Sequence, residues 1–269
     1  MKLSRRKFIK NGLLLLSGSL LFDALWFEKY FIEWNHFDIS KNKNEKIKIV
    51  QISDLHIRTV GYIHKSIAEK INKSKPDLIF FTGDSVDKAG KINVLNKFLT
   101  LIDISITKFA VMGNWEYWGN IDADILKKTF SEHNCKLLIN ETVNLTVKNR
   151  KIAITGVDDY IGGNPDFPSA IKNSIAAETN IVLSHCPAYR DIITREKGDF
   201  NIDVVLSGHT HGGQISFFGI TPFKPEGSGR YLKGWYKKTK PAMYVSKGIG
   251  TSILPVRFGA RAEIVEMEI

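Results

Sequence analysis

The chain has 269 residues, with 38 Lys and Arg against 28 Asp and Glu for a net charge of +10. That length suits one domain with a large core, and its 2 cysteines exclude a disulfide framework. The positive balance suits nucleic acid, an anionic membrane or a phosphorylated substrate, and composition does not separate the three.

Lys2, Arg5, Arg6, Lys7 and Lys10 precede an apolar run from Leu13 to Phe22. This is the order of charged and apolar regions in an export signal. Ser4-Arg5-Arg6-Lys7-Phe8-Ile9-Lys10 resembles the twin-arginine consensus, with Ile9 where Leu is usual. The resemblance implies the twin-arginine export machinery as a partner and a location at the membrane or on the periplasmic or cell-wall side. No Ala-x-Ala site follows. Trp26, Phe27, Tyr30, Phe31 and Trp34 recur at helical spacing, which predicts a helix lying at the membrane interface or resting on the domain. The apolar run is short against the ~20 residues of a spanning helix, so a shallow, uncleaved anchor is expected. Residues 1–22 thus read as signal and anchor, 23–46 as an aromatic interfacial segment and a polar linker (Lys41 to Lys46), and 47–269 as the folded domain.

Ile47, Ile49, Val50 and Ile52 predict a first strand ending in Ser53-Asp54-Leu55-His56. Two side chains two residues apart on a strand end share a face and can grip one ion. Helical spacing from Ile63 to Ile71 leads to the strand Leu78 to Phe81 and its end, Thr82-Gly83-Asp84-Ser85-Val86-Asp87. A strand, helix and strand in that order place Asp54 and Asp84 on the same sheet edge. A second helix (Val94 to Ile102) and the strand Phe109 to Met112 deliver Gly113-Asn114-Trp115-Glu116-Tyr117-Trp118. Asn114 offers a neutral oxygen ligand or simply makes a turn. Leu137–Asn140, Val143–Val147 and Ile152–Thr155 read as antiparallel strands of a second sheet. The aspartates of Gly156-Val157-Asp158-Asp159-Tyr160 read as turn formers. Ile181 to Ser184 ends in His185-Cys186-Pro187, and Val204 to Leu206 ends in Ser207-Gly208-His209-Thr210-His211-Gly212-Gly213-Gln214.

The ordered strand ends, Asp54-x-His56, Gly83-Asp84-x-x-Asp87, Gly113-Asn114-x-Glu116, Ser184-His185 and Gly208-His209-Thr210-His211, resemble those of the calcineurin-like metallophosphoesterases over roughly residues 47 to 269. Gly212-Gly213-Gln214, Tyr244 to Gly250 and Pro255-Val256-Arg257-Phe258-Gly259 resemble the bacterial membrane-associated or exported branch of that family. The resemblance implies an α/β fold, a four-layer α/β/β/α sandwich of two mixed sheets flanked by helices. It also implies two divalent metal ions. One would be held by Asp54, His56, Asp84 and His211, the other by Asp84, Asn114, His185 and His209, with Asp84 bridging. The mixed nitrogen and oxygen donors suit Mn, Fe or Zn. Asp84 and Asn114 would serve catalysis by helping the ions activate a bridging water, and Asp87 would orient a ligand histidine.

Family members usually carry His after the Gly-Asn, where this chain has Trp115, which cannot act as an acid. Such a site suits leaving groups already stable as anions. Trp115, Tyr117 and Trp118 would bind substrate by stacking on a base or covering an acyl chain, or would pack the sheet rim. Between Phe217 and Lys247, seven basic residues interleave with Phe218, Phe223, Tyr231, Trp235 and Tyr236, a surface for anionic lipid in preference to nucleic acid. The expected function is dinuclear-metal hydrolysis of a phosphoester or pyrophosphate bond in a phosphorylated small molecule or lipid-linked substrate at the membrane. Three alternatives are a pyrophosphatase for a lipid A precursor of the UDP-diacylglucosamine type, a non-catalytic metal-binding module, and a nuclease.

Overall fold

The computed structural model describes residues 4–41, 45–217 and 219–269. The expectations resting on Lys2, on residues 42–44 of the polar linker and on Phe218 lie outside them. Helix α1 (Arg5–Phe22) continues through a π-helical turn (Asp23–Phe27) into α2 (Glu28–Tyr30). Together they make a 26-residue helix, exposed along α1 and apolar enough to cross a membrane by length and composition. At 1.5 Å per residue it is roughly 39 Å long.

Trp34 does not continue that helix. Phe31 breaks it, and residues Glu33–Asp38 form β1, an edge strand parallel to the strand Glu263–Glu268. The reason is burial. As β1 alternates, Trp34 packs into the layer beneath the helices and Phe37 into the layer between the sheets, so the stretch expected as interfacial segment and linker supplies core.

The first sheet continues with β2 (Lys48–Ile52), α3 (Tyr62–Ser74), β3 (Leu78–Thr82), α4 (Ile92–Leu99), β4 (Thr107–Val111), α5 (Asn114–Trp118), α6 (Ala123–Ser131) and β5 (Cys135–Leu138). The second contains β6 (Glu141–Val147), β7 (Arg150–Gly156), α7 (Phe167–Ile171), β8 (Thr179–Leu183), α8 (Tyr189–Glu196), β9 (Val204–Ser207), β10 (Gly234–Tyr236) and β11 (Ala242–Val245). The last strand, β12 (Glu263–Glu268), returns to the first sheet. The orders are β1-β12-β2-β3-β4-β5 and β10-β11-β9-β8-β7-β6, both mixed.

Period-two alternation makes the layers. Val50, Ile79 and Phe81 face the core shared with α3, α4 and α6, while Ile49, Phe80 and Phe109 meet Ile181, Leu183, Val204 and Leu206 between the sheets. Val182 and Val205 face outward to the core that holds Tyr189 and Ile193 of α8. The result is a four-layer α/β/β/α sandwich, as the resemblance implied. At the site edge the sheets are bolted together by polar bonds: buried Gln51 Nε2 donates to Ser207 O at 2.9 Å and to Thr82 Oγ1 at 3.0 Å. Cys135 and Cys186 are free and buried.

The basic aromatic stretch is less of a surface than its sequence implied. Tyr231 is buried, Trp235 packs against Phe37 and Tyr244, and Tyr236 packs on Tyr231. Apolar area gained in the core outweighs a role on lipid for these three. Phe217 and Phe223 remain exposed.

Candidate metal centre

Five residues at the strand ends hold left-handed backbone: Asp54 (φ 50°), His56 (43°), Asp84 (52°), His209 (72°) and His211 (50°). Non-glycine residues seldom occupy that region, and such strain costs on the order of 1–3 kcal/mol per residue. Strand β2 ends at Ile52, so Asp54 and His56 converge through turns and not through the strand alternation expected from sequence. Glycine makes room at two points. A Cβ on Gly208 would lie 1.8 Å from Ser53 Oγ and 2.4 Å from Asp54 Oδ2, and one on Gly113 would lie 2.3 Å from Asp84 Oδ1.

Two buried groups result. Asp54, His56 and His211 offer ligand atoms within 4.8 Å of one another, as do Asp84, His185 and His209. In the first, His56 Nε2 and His211 Nε2 are 3.1 Å apart and His211 Nε2 is 3.6 Å from Asp54 Oδ1. In the second, His185 Nε2 stands 3.2 Å from Asp84 Oδ2 and 3.3 Å from His209 Nδ1. Asn114 Oδ1 joins it, 3.2 Å from His185 Nε2 and 2.9 Å from His209 Nδ1. Asp84 Oδ2 is also 3.6 Å from His56 Nε2, so one carboxylate touches both groups. Two metal–nitrogen bonds of ~2.1 Å at about 100° would set their donor atoms about 3.2 Å apart. Nitrogen lone pairs converging at that separation fit a divalent cation, and the donors are imidazole, carboxylate and amide with no thiolate.

The other ring nitrogens have partners that orient them. His56 Nδ1 meets the Asp87 carboxylate, which Arg58 also holds, with its Nη2 at 3.3 Å from Asp87 Oδ2. His185 Nδ1 lies 2.8 Å from Thr82 O, and His209 Nε2 lies 2.5 Å from Glu226 O. Such partners set tautomer and ring angle. Buried Arg257 donates to the carbonyls of Lys247 at 2.8 Å and Gly250 at 2.5 Å, and its Nη2 lies 3.3 Å from His211 Nδ1. Burial lowers the guanidinium to about 10, which still leaves it charged at neutral pH.

The electrostatics are those of a cation site. Burial raises the Asp54 carboxyl, with Asp84 adding to it, against the pull of His185. Burial would raise Asp84 too, but His185, His56 and His209 hold it below the usual carboxylate range. Burial opposes charge on His56 and His185, yet Asp87 and Asp84 raise the first, and Asp84 and Asp54 carry the second well above its ordinary value. Burial and His185 push His209 down to about 4, and burial, His56 and Arg257 push His211 well down. Each group therefore pairs an imidazole that favours positive charge with one that resists it, and the carboxylates draw a cation into both.

Sequence reasoning assigned no role to Glu116, which ties the two loops together. Its Oε1 accepts from the backbone N–H groups of Ser85 (2.6 Å) and Val86 (3.2 Å), and its Oε2 from Gly113 (2.9 Å) and Asp84 (3.0 Å). Burial and the Asp84 charge raise its pKa to about 8, against the pull of these donors. Its place two residues after Asn114 was the available signal. Arg257 was likewise visible only as part of a motif in the tail.

The backbone N–H of Trp115 donates to Asp84 Oδ1 at 2.9 Å, and the Trp115 ring stands edge-on to His56, 5.9 Å between centroids at 87°. It borders the first group. Trp118 is exposed and lies 5.5 Å from Trp115 between centroids. Tyr117, expected beside the substrate, is engaged elsewhere: its hydroxyl donates to Asp158 and its ring packs on the helical-layer core. Asp158 also accepts from Asp159 N at 2.8 Å and Asn164 N at 2.8 Å, the turn-forming role expected of it.

Residues 47–213, more than half of the chain, match the family model for calcineurin-like phosphoesterases. The chain is 31% identical over 284 residues to the uncharacterized metallophosphoesterase YkuE of Bacillus subtilis (strain 168), covering 98% of this chain and 96% of that one. It is 26% identical over 280 residues to the phosphodiesterase YaeI of Escherichia coli (strain K12), covering 99% of both. Among solved structures, a dimetal phosphatase from Danio rerio aligns with a TM-score of 0.50 at 9% identity, over 82% of this chain and 98% of that one, a likeness of fold.

Proposed function

The chain belongs to the calcineurin-like phosphoesterases, metal-dependent phosphohydrolases, and we propose that it cleaves a phosphodiester or pyrophosphate bond at a membrane surface. The observation that carries the reading is the Asp84 carboxylate, 3.2 Å from His185 and 3.6 Å from His56, shared between two ligand groups. Asp54, His56, Asp84 and His211 would hold one ion, and Asp84, Asn114, His185 and His209 the other. The donor set favours Mn, Fe or Zn. Bound there, two divalent ions supply Lewis acidity that makes water a better nucleophile and offsets phosphoryl charge.

The chain's own residues do the rest. Asp87 holds His56 in register, and Glu116 keeps the loops of Asp84 and Asn114 at a set distance. Water adds to phosphorus as the bond to the leaving oxygen breaks, and that oxygen departs with the electron pair while the water's proton passes to solvent. Trp115 occupies the place beside the first group and brings no proton for the leaving oxygen. This favours a leaving group stable as an anion, and supports as a second reading a pyrophosphatase of the UDP-diacylglucosamine type, which requires the amino-terminal helix to be an anchor only with the domain on the cytoplasmic side, and is marked by release of nucleoside monophosphate.

The 26-residue helix and the Arg5-Arg6 pair support attachment to the membrane after twin-arginine export, with the domain on its outer side. Full-length protein stripped of metal by a chelator should lose hydrolysis of bis-p-nitrophenyl phosphate and regain it with Mn²⁺ as two ions bind per chain. Hydrolysis that survives stripping overturns the reading. Lysines at Arg5 and Arg6 should leave the domain inside the cell, out of reach of added protease; unaltered export overturns the placement.

A further inference from the structure

Beside the first ligand group lies a groove of about 360 Å³, at the lower end of the ~300–1,000 Å³ usual for small-molecule sites. Its walls are apolar, formed by Ile215, Pro222, Phe223, Pro225, Ile253 and Leu254, and His211 also lines it. An occupant therefore touches a residue of the candidate metal centre.

The walls are built as part of that centre. Gln214, three residues past His211, clamps the facing loop: its Nε2 donates to Ser252 O at 3.2 Å and Leu254 O at 2.9 Å, and its Oε1 accepts from Ser252 N at 3.0 Å. Backbone bonds from Phe258 N to Gln214 O (2.8 Å) and Ser216 N to Phe258 O (2.7 Å) close the same junction. Yet the groove's apolar side chains stay in water, with Phe223 67%, Ile253 74% and Leu254 54% exposed. Large apolar groups held open in this way are a binding surface more often than an accident.

The next few residues carry the root of the exposed helix. Arg257 N donates to Ala24 O at 3.0 Å, and Gly259 N and Ala260 N donate to the Glu28 carboxylate at 2.8 and 2.9 Å. One strip of chain, residues 252–260, thus joins the groove to the segment able to enter lipid.

We propose that this groove takes the hydrocarbon chain of the substrate, making the enzyme selective for a phosphoester carried on a single-chain or acylated lipid. The proposal rests on the phosphoesterase reading and adds a substrate class to it. Full-length protein in lipid nanodiscs with Mn²⁺ is assayed on p-nitrophenyl phosphodiesters whose second ester is methyl, butyl or octyl. With the groove engaged, kcat/KM rises roughly threefold to fourfold per buried methylene until the groove is full. The paired substitutions Ile253→Asp and Leu254→Asp should bring the octyl-to-methyl ratio down at least tenfold, whereas Ile125→Asp, an exposed apolar position on α6, keeps it. Partition into the nanodisc is common to all three proteins, so the ratio reads the groove. Equal kcat/KM for the three esters, or a ratio unchanged by the paired substitutions, overturns the proposal. If no ester is hydrolysed, the phosphodiester reading fails and calorimetry decides the groove alone. Octyl phosphate binding tenfold or more tightly than methyl phosphate, with the preference lost in the paired variant, sustains it, and equal binding overturns it.

Discussion

His56 Nε2 and His211 Nε2 face each other across 3.1 Å, although 155 residues separate them, and the rear of the His56 ring rests on Asp87. Two imidazole nitrogens so close need a proton or a metal cation between them, and Asp87 keeps one of the rings from rotating away. Asp87→Asn should therefore keep the fold yet weaken Mn²⁺ binding and lower kcat/KM, each by about 10- to 100-fold. Metal titration followed by activity checks this, and unchanged affinity would count against the orienting role.

His209 and His211 lie one residue apart in sequence but belong to different ligand groups. Alanine at either position should lower bound metal from two ions per chain toward one, by elemental analysis, and turnover at least a hundredfold. Asp84→Asn, touching both groups, should lower metal content the most. Equal loss in all three variants would mean that the two groups act as one site.

Glu116 bonds to four backbone N–H groups on two loops. Above pH 8, where Glu116 is an ionised carboxylate, Glu116→Gln sets an amide NH₂ against donors, leaving buried N–H groups unpaired at about 1–3 kcal/mol each. The expected outcome is a lower Tm together with weaker metal binding, both restored in part by Glu116→Asp. A purely local packing role would lower Tm without moving metal affinity.

Trp115 stands where family members usually offer an imidazole. Across aryl phosphodiesters of rising leaving-group pKa, the wild-type rate should fall steeply, since no acid meets the departing oxygen. Trp115→His should flatten that dependence and help the poorest leaving groups by an order of magnitude or more. Parallel dependences in the two proteins would show that position 115 plays no part in departure.

Burial raises the thiol of Cys135, and burial together with Asp159 raises that of Cys186. The folded values lie above the unfolded ones, so this stability is complete below the ordinary thiol value and declines as pH rises through it toward the folded values. By pH 10 the loss should be about 1–2 kcal/mol per thiol. Denaturant titration at pH 8 and pH 10 reads it, and replacing both cysteines with alanine should shrink the difference. The same fall in the variant would place its origin in Tyr117, Tyr189 and Tyr244, whose hydroxyls burial also raises.

The order of short motifs determined much of this molecule in advance. Apolar runs punctuated by Asp54, Asp84, Asn114, His185 and the His209–His211 doublet identify a sheet edge rich in ligands, because buried parallel strands read as unbroken hydrophobic stretches. Local pattern did not determine the fate of Trp34 and Trp235, whose helical or basic surroundings conceal the sheet partners that bury them. Nor did it show that α1 runs on through Tyr30. Only the tertiary structure decided that Glu116 joins two loops and that Gln214 holds residues 252–254 over a groove beside His211. Each depends on backbone turned into the left-handed region or on partners 30 to 40 residues apart. The energy of such contacts exists only once the two sheets have closed on one another.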